Sequence, residues 1–217
     1  MEQIIRNSSS LDWITLVAIL CLILLTAAKL INSNRFNELL LLPITNKYFL
    51  VHGKNKTIFG AFNILLLIVQ ILSVSLFLYF LILSFHNEFK TEEKLLYLQI
   101  VTSYTLFIGI KFYVEKIIAN LFSFDTYLET YLYHKLSYRN LLGIFLLGIN
   151  ILFLYTLPQS LLVLQILVIL ILFANLLSLF YTYRTHEKFI IDRFFYFILY
   201  LCALEISPYL ILYKAIV

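Results

Sequence analysis

Long apolar runs separated by short polar segments are the dominant pattern along the chain. A helix crosses the hydrocarbon core of a bilayer with about 20 mostly apolar residues, and six runs are of that order. They are Leu11–Leu30, Ile58–Phe85, Leu95–Val114, Leu141–Leu157, Leu161–Tyr183 and Phe194–Tyr213. Long stretches are apolar on every face, as in helices surrounded by lipid or protein. The pattern predicts a single all-α membrane domain over residues 1–217, a bundle of about six transmembrane helices.

Lysine and arginine residues are distributed unevenly between the connections. Twelve of the 16 fall in the first, third and fifth connections. These twelve are Lys29, Arg35, Lys47, Lys54, Lys56, Lys111, Lys116, Lys135, Arg139, Arg184, Lys188 and Arg193. Because basic residues accumulate on the cytoplasmic side of a membrane, the bias predicts that these connections are cytoplasmic and that both termini lie outside the cytoplasm.

The sequence pattern predicts helices in two of the inner connections as well. Between Lys111 and Lys135, apolar residues return mostly at three-to-four spacing with charged residues between them, which is typical of an amphipathic helix at a membrane interface. The apolar set is Val114, Ile117, Ile118, Leu121, Leu128, Tyr131 and Leu132. A shorter helix is predicted from Asn34 to Leu42, with Asn34 as its cap and Pro43 after its end.

The bulk composition excludes a soluble protein. The chain is 62% hydrophobic and 13% charged, whereas ordinary soluble domains are about 45–50% apolar and about 25% charged. The formal net charge of +4 comes from scattered basic residues rather than from a basic stripe, so no nucleic-acid partner is expected. Only Cys21 and Cys202 occur, which excludes a disulfide framework.

Glu205 is the one acid placed near the middle of an apolar run. It lies roughly 16 Å into the last run at about 1.5 Å per residue. Pro208 follows and removes an amide hydrogen that would otherwise bond the helix backbone. The same counting places Gln70 and Asn150 at a similar level, roughly 14–18 Å from the inner ends of their runs. These three side chains can meet, and together they form the predicted intramembrane polar site.

Two interpretations of Glu205 stay open. A protonated Glu205 can donate a hydrogen bond to a neighbouring helix and fix the packing. Alternatively, Glu205 belongs to a proton or cation site, since an acid beside a broken helix is typical of transporters. A charge in hydrocarbon costs at least about 2.5–3.5 kcal/mol, so an acid kept there indicates a function. We favour the packing interpretation.

Other reactive residue types form no recognisable site. Lys111 and its i,i+4 neighbour Glu115 predict an ion pair at the inner edge of the membrane. His52, His134 and His186 fall one in each inner connection, but their spacing does not indicate a zinc site. The chain has no Gly-rich phosphate loop, His-Glu-x-x-His, Cys-x-x-Cys or Gly-x-Ser-x-Gly motif. We therefore predict no catalytic residue, no metal and no cofactor.

The last run contains a more distinctive stretch, Leu-Glu-Ile-Ser-Pro at 204–208. Together with Lys111, the segment Ile117–Phe122 and the later Tyr133–Lys135, it resembles a family of polytopic inner-membrane proteins of Bacteroidota known only as a domain of unknown function. The resemblance covers most of the chain after the first run. It implies a bacterial inner membrane with periplasm on the outer side, and it implies no activity.

Because catalytic motifs are absent, the sequence favours a non-enzymatic membrane protein, a scaffold or accessory subunit of a larger envelope assembly. Its expected partners are the lipid bilayer and either other membrane proteins or further copies of the chain. The alternative is a small transporter or channel that uses Glu205 with Gln70 and Asn150 for proton or cation coupling.

Overall fold

The computed structural model of the protein describes residues 12–43, 48–49, 60–85, 93–121, 125–155 and 163–171. Almost all of these residues are helical, and none of them is in a strand. The main helices are α1 (Asp12–Ile31), α2 (Ser33–Leu40), α3 (Ala61–Phe85), α4 (Glu93–Leu121) and α5 (Asp125–Tyr155). Residues 163–171 form a further helical stretch, α6.

Four segments of the described helices are long and apolar enough to cross a membrane. They are Asp12–Ile31, Ala61–Ser84, Lys94–Ile117 and Leu132–Tyr155. These segments correspond to the first four predicted runs, and the fourth begins earlier than predicted. The fifth run is described only at residues 163–171, and the sixth lies outside the described residues. The helical fold is thus confirmed for this part of the chain, and a total of six spans stays a prediction.

The amphipathic segment between Lys111 and Lys135 is not a separate helix. Its first half continues α4 to Leu121, and its second half begins α5 at Asp125. α4 has 29 residues and α5 has 31, so each is roughly 45 Å long, whereas the hydrocarbon core is about 30 Å thick. Helices of this length project beyond the hydrocarbon core. That the segment between Lys111 and Lys135 lies along the membrane interface stays a prediction.

α2 is the short helix predicted in the first connection, but it begins earlier than predicted. Asn32 rather than Asn34 caps it, since the Asn32 Oδ1 accepts a hydrogen bond from the Arg35 amide at 3.1 Å. Arg35, Phe36 and Leu39 form its buried face, at the spacing of an amphipathic helix. α2 therefore presents an arginine to the interior of the protein.

α3 and α5 form the centre of the described bundle, and α1 and α4 are more peripheral. The apolar segments of α3 and α5 are 56% and 50% buried, against 22% for α1 and 17% for α4. Trp13 at the start of α1 contacts Tyr79 near the end of α3, with ring centroids 5.2 Å apart. Phe80, also near the end of α3, stacks on Phe153 near the end of α5. α1 is therefore antiparallel to α3, and α5 is parallel to it.

Buried apolar side chains fill the bundle in three clusters along its length. The inner end is where α1 ends and α3 and α5 begin, and its cluster includes Ala28, Phe36, Leu39, Phe62, Leu66 and Leu141. The middle cluster is Cys21, Val69 and Leu147. The outer cluster includes Ile14, Leu76, Phe77, Leu96 and Phe153. Polar side chains are buried between these apolar layers.

Candidate functional site

Gln70 is a fully buried polar side chain in α3. Its Oε1 accepts a hydrogen bond from the Arg139 Nε at 3.1 Å, and its Nε2 donates to the Tyr104 hydroxyl at 3.2 Å. Arg139 belongs to α5 and Tyr104 to α4. One side-chain amide therefore joins three helices, and it satisfies polar groups whose burial without partners would cost free energy.

Gly143 allows α5 to approach α3 closely at Gln70. A Cβ atom at Gly143 would lie 2.8 Å from the Gln70 Cα and 2.9 Å from its Cβ and Cγ. A Cβ atom at Gly148 would have no atom of the described residues within 4 Å. The two glycines do not share a face, as their spacing of five residues predicts. Of these two glycines, Gly143 is the one that lies against α3 in the described part of the chain.

Asn150 makes a second polar contact between α5 and α3. Its Nδ2 donates to the Ser73 carbonyl at 2.8 Å and lies 3.4 Å from the Ser73 Oγ. Both residues are buried, and among the described residues the buried Asn150 Oδ1 has no hydrogen-bond partner. We call Gln70, Ser73, Arg139 and Asn150 the polar seam, because all four lie where α3 and α5 meet.

Two of the three residues predicted for the intramembrane site thus lie on the same helix pair. Gln70 and Asn150 form hydrogen bonds to different residues rather than to each other. Glu205 and Pro208 lie outside the described residues. A meeting of Glu205 with the polar seam therefore stays a prediction.

Glu115 is buried where α4 and α5 come together toward the inner end. It is 3% exposed, and its Oε1 lies 2.7 Å from the Lys135 Nζ. The sequence prediction had paired Glu115 with Lys111, which precedes it by one helical turn on α4; that pair stays a prediction. The Lys135 contact was missed because it joins residues of two different helices.

A buried arginine at the inner end is a second site that the sequence prediction missed. Arg35 is 9% exposed, and its Nε donates to the Tyr48 hydroxyl at 3.3 Å. Its Nη2 donates to the Asn63 Oδ1 at 3.1 Å and to the Tyr133 hydroxyl at 3.0 Å. Its guanidinium carbon lies 4.7 Å from the centre of the Phe62 ring. We call these five residues the arginine cage.

The arginine cage contains a buried positive charge surrounded by neutral groups. Burial alone would lower the pKa of Arg35, but the hydroxyls of Tyr48 and Tyr133 raise it above its usual value, so the guanidinium stays protonated. Among the described residues, Arg35 forms no ion pair with a carboxylate. A buried charge without a counter-charge is costly, and none of the described residues supplies a counter-charge to Arg35.

The sequence offers only a weak signal for the arginine cage. Arg35 lies one helical turn before Leu39 and beside Phe36, on the apolar face of a short amphipathic helix. An arginine on such a face is a reason to look for a partner. Its partners are 13, 28 and 98 residues away along the chain, and no local pattern connects them.

The histidines form no metal site in the part of the chain that is described. His134 stacks on Phe49, with ring centroids 3.7 Å apart. In the described ranges, no group of three or more His, Cys, Asp or Glu side chains is placed to hold a metal ion. His52 and His186 lie outside those ranges, so the prediction that the protein has no metal stays untested.

Comparison with known proteins identifies a family. No curated protein and no solved structure matches the chain. A family model, described as a domain of unknown function and designated DUF4271, matches residues 14–216. The match begins in α1 and extends beyond Glu205, and it confirms the resemblance to a family of unknown function. The chain therefore belongs to the DUF4271 family.

Proposed function

We propose that this chain is a non-enzymatic component of the bacterial inner membrane, a scaffold or accessory subunit of a larger envelope assembly. The supporting observation is how its buried polar side chains are used. Gln70, Asn150 and Glu115 each bond a neighbouring helix. Side chains bonded in this way hold helices together, and they are not presented to a substrate.

The outward faces of α1 and α4 support placement among lipids and other membrane proteins. Large apolar side chains on these faces are 57% to 67% exposed: Leu16, Ile23, Leu106 and Ile110. In water such faces would be an aggregation liability, whereas in a bilayer they contact acyl chains or another apolar helix. Both kinds of partner, and a second copy of the chain, are compatible with this surface.

The orientation belongs to the same proposal. Lys29 lies in the last turn of α1 at the inner end, and α2 brings Arg35 to that end. Lys94 lies at the opposite end, near the start of α4. The predominance of basic residues in the inner connections supports a cytoplasmic inner end and periplasmic termini.

A transporter or channel is the second candidate, and one observation favours it. The Asn150 Oδ1 is a buried acceptor without a donor in the described part of the chain. Glu205 is predicted at a similar depth and would donate a hydrogen bond when protonated, or bind a cation when ionised. In a transporter or channel, the polar seam would line a path that water enters. The scaffold proposal requires instead that the contact between α3 and α5 excludes water.

The scaffold proposal predicts an assembly of fixed stoichiometry. The tagged chain, extracted from native membranes in a mild detergent, should migrate as a complex larger than the 25.6 kDa chain with its own micelle. Quantitative mass spectrometry should find the partner, or further copies of the chain, in a constant ratio. Tagging the partner should recover this chain in the same ratio. A monodisperse monomer under the mildest extraction would contradict the proposal.

A further inference from the structure

The arginine cage lies at the inner ends of the helical segments that are long and apolar enough to cross a membrane. Phe62 and Asn63 are in the first turn of α3, and Tyr133 is the second residue of the apolar segment Leu132–Tyr155. Lipid phosphate groups lie at the boundary between the hydrocarbon core and water. An arginine near this boundary ordinarily extends toward the headgroups, but Arg35 is held between helices instead.

The donors of Arg35 are only partly used. A guanidinium has five N–H groups, and the bonds to Tyr48, Asn63 and Tyr133 use the one on Nε and the two on Nη2. In the described part of the chain, no acceptor bonds the two N–H groups of Nη1. The contact with the Phe62 ring fixes the position of the guanidinium. The two N–H groups of Nη1 are thus held in position, and they can donate to an acceptor from outside the described residues.

The charge of the cage indicates what that acceptor is. All three described acceptors are neutral, so a neutral ligand would leave the buried cation uncompensated. An oxyanion would supply both the missing acceptor and the missing charge. Phosphate oxygens are well suited to arginine, since they accept charge-assisted hydrogen bonds from the planar guanidinium.

We infer that the arginine cage is a binding site for a phosphate group, with the Nη1 donors of Arg35 as its anchor. An anionic phospholipid of the inner leaflet supplies that group at the right level of the bilayer, and basic sites between membrane helices bind such headgroups. Inorganic phosphate or a soluble phosphate ester shares the same chemistry. The inference does not depend on the proposed scaffold function.

The test is native mass spectrometry of the full chain in detergent micelles. Phosphatidylglycerol, phosphatidylcholine and inorganic phosphate are titrated in separate arms. The wild-type chain should retain phosphatidylglycerol over phosphatidylcholine, and Arg35→Gln should weaken this binding roughly ten- to hundredfold, the range for lost charge-assisted hydrogen bonds. The control is Lys29→Gln, which removes one exposed charge at the same end and should change the affinity by no more than about fivefold.

A second variant keeps the test valid if Arg35→Gln does not fold. Asn63→Asp is nearly isosteric and places a carboxylate where the Nη2 of Arg35 already donates. It supplies the missing counter-charge from within the protein, so it should fold and still lose the lipid.

The arms separate the two sources of phosphate. Arg35-dependent retention of phosphatidylglycerol alone would identify the lipid headgroup as the ligand. Arg35-dependent binding of inorganic phosphate, with competition against the lipid, would support the same site with a soluble source. Equal retention of phosphatidylglycerol and phosphatidylcholine by the wild-type chain, or unchanged binding in Asn63→Asp, would overturn the inference.

Discussion

Replacing Gly143 with alanine should lower the free energy of unfolding by about 1–3 kcal/mol, the range for overpacking a tight contact. The added methyl group would lie 2.8 Å from the Gln70 Cα. Because that atom belongs to the backbone of α3, the contact can be relieved only by moving one helix away from the other. The same movement would lengthen the hydrogen bond from Arg139 to Gln70, now 3.1 Å.

Gly148→Ala is the matched control for this prediction. It makes the same substitution in the same helix, where the new methyl group meets no atom within 4 Å in the described ranges. Helix propensity alone should leave it neutral or stabilise it by up to about 1 kcal/mol. Unfolding of both variants by SDS titration measures the difference, and equal stability of the two would show that Gly143 does not set the helix separation.

Gln70→Leu should also cost about 1–3 kcal/mol of stability, although leucine fills a similar volume and is more apolar. The substitution removes two hydrogen bonds between helices and leaves the Arg139 Nε without the acceptor it now has. A hydrogen bond to a charged group contributes more than a neutral one, and the partly buried Arg139 donor left without an acceptor adds a desolvation cost. The expected result is a lower midpoint in SDS unfolding.

Ser75→Ala is the control for Gln70→Leu. Ser75 is buried on the same helix, but its Oγ has no hydrogen-bond partner in the described part of the chain. Removing an unpaired hydroxyl should leave stability within about 0.5 kcal/mol of the wild type or raise it. If Gln70→Leu were as stable as Ser75→Ala, the polar seam would not be holding the helices together.

The apolar pattern was sufficient to predict the long helices of the described part. α1 and α3 begin and end within a few residues of the predicted runs, because their apolar residues extend around the whole helix. The ends of α4 and α5 were harder to predict. Charged residues such as Lys116 and Lys135 predict a separate interfacial helix, whereas in the structure Lys116 lies within α4 and Lys135 within α5. Lys135 pairs with Glu115 of α4, so this charge joins two long helices.

The sites were less predictable than the helices. Counting along the runs predicts that Gln70 and Asn150 lie at a similar depth, because depth follows from helix geometry alone. That both lie where α3 and α5 meet comes from the structure. Their partners Tyr104, Ser73 and Arg139 depend on how each helix is rotated toward its neighbours. Helices that are apolar on every face give no signal for that rotation, so the polar seam required the structure.

The arginine cage shows a second kind of limit. Counting Arg35 among the basic residues of a cytoplasmic connection used its charge and ignored its position on α2. Its burial follows from contacts with Asn63 and Tyr133, which are 28 and 98 residues away. The accumulation of basic residues on the cytoplasmic side predicts which side of the membrane a connection faces. It does not distinguish a solvated arginine from a buried one.

Whether the polar seam is a dry helix contact or a water-filled path can be measured by cysteine accessibility in the membrane. Single cysteines would replace Ser73, Asn55 or Asn87 in a chain with Cys21 and Cys202 changed to alanine, and each would be exposed to a membrane-impermeant thiol reagent. Position 87 should react in intact spheroplasts, and position 55 only in inside-out vesicles. Position 73, now 1% exposed, should react in neither preparation. Rapid labelling of position 73 from one side would show that water reaches the seam and would contradict a structural role for its polar side chains.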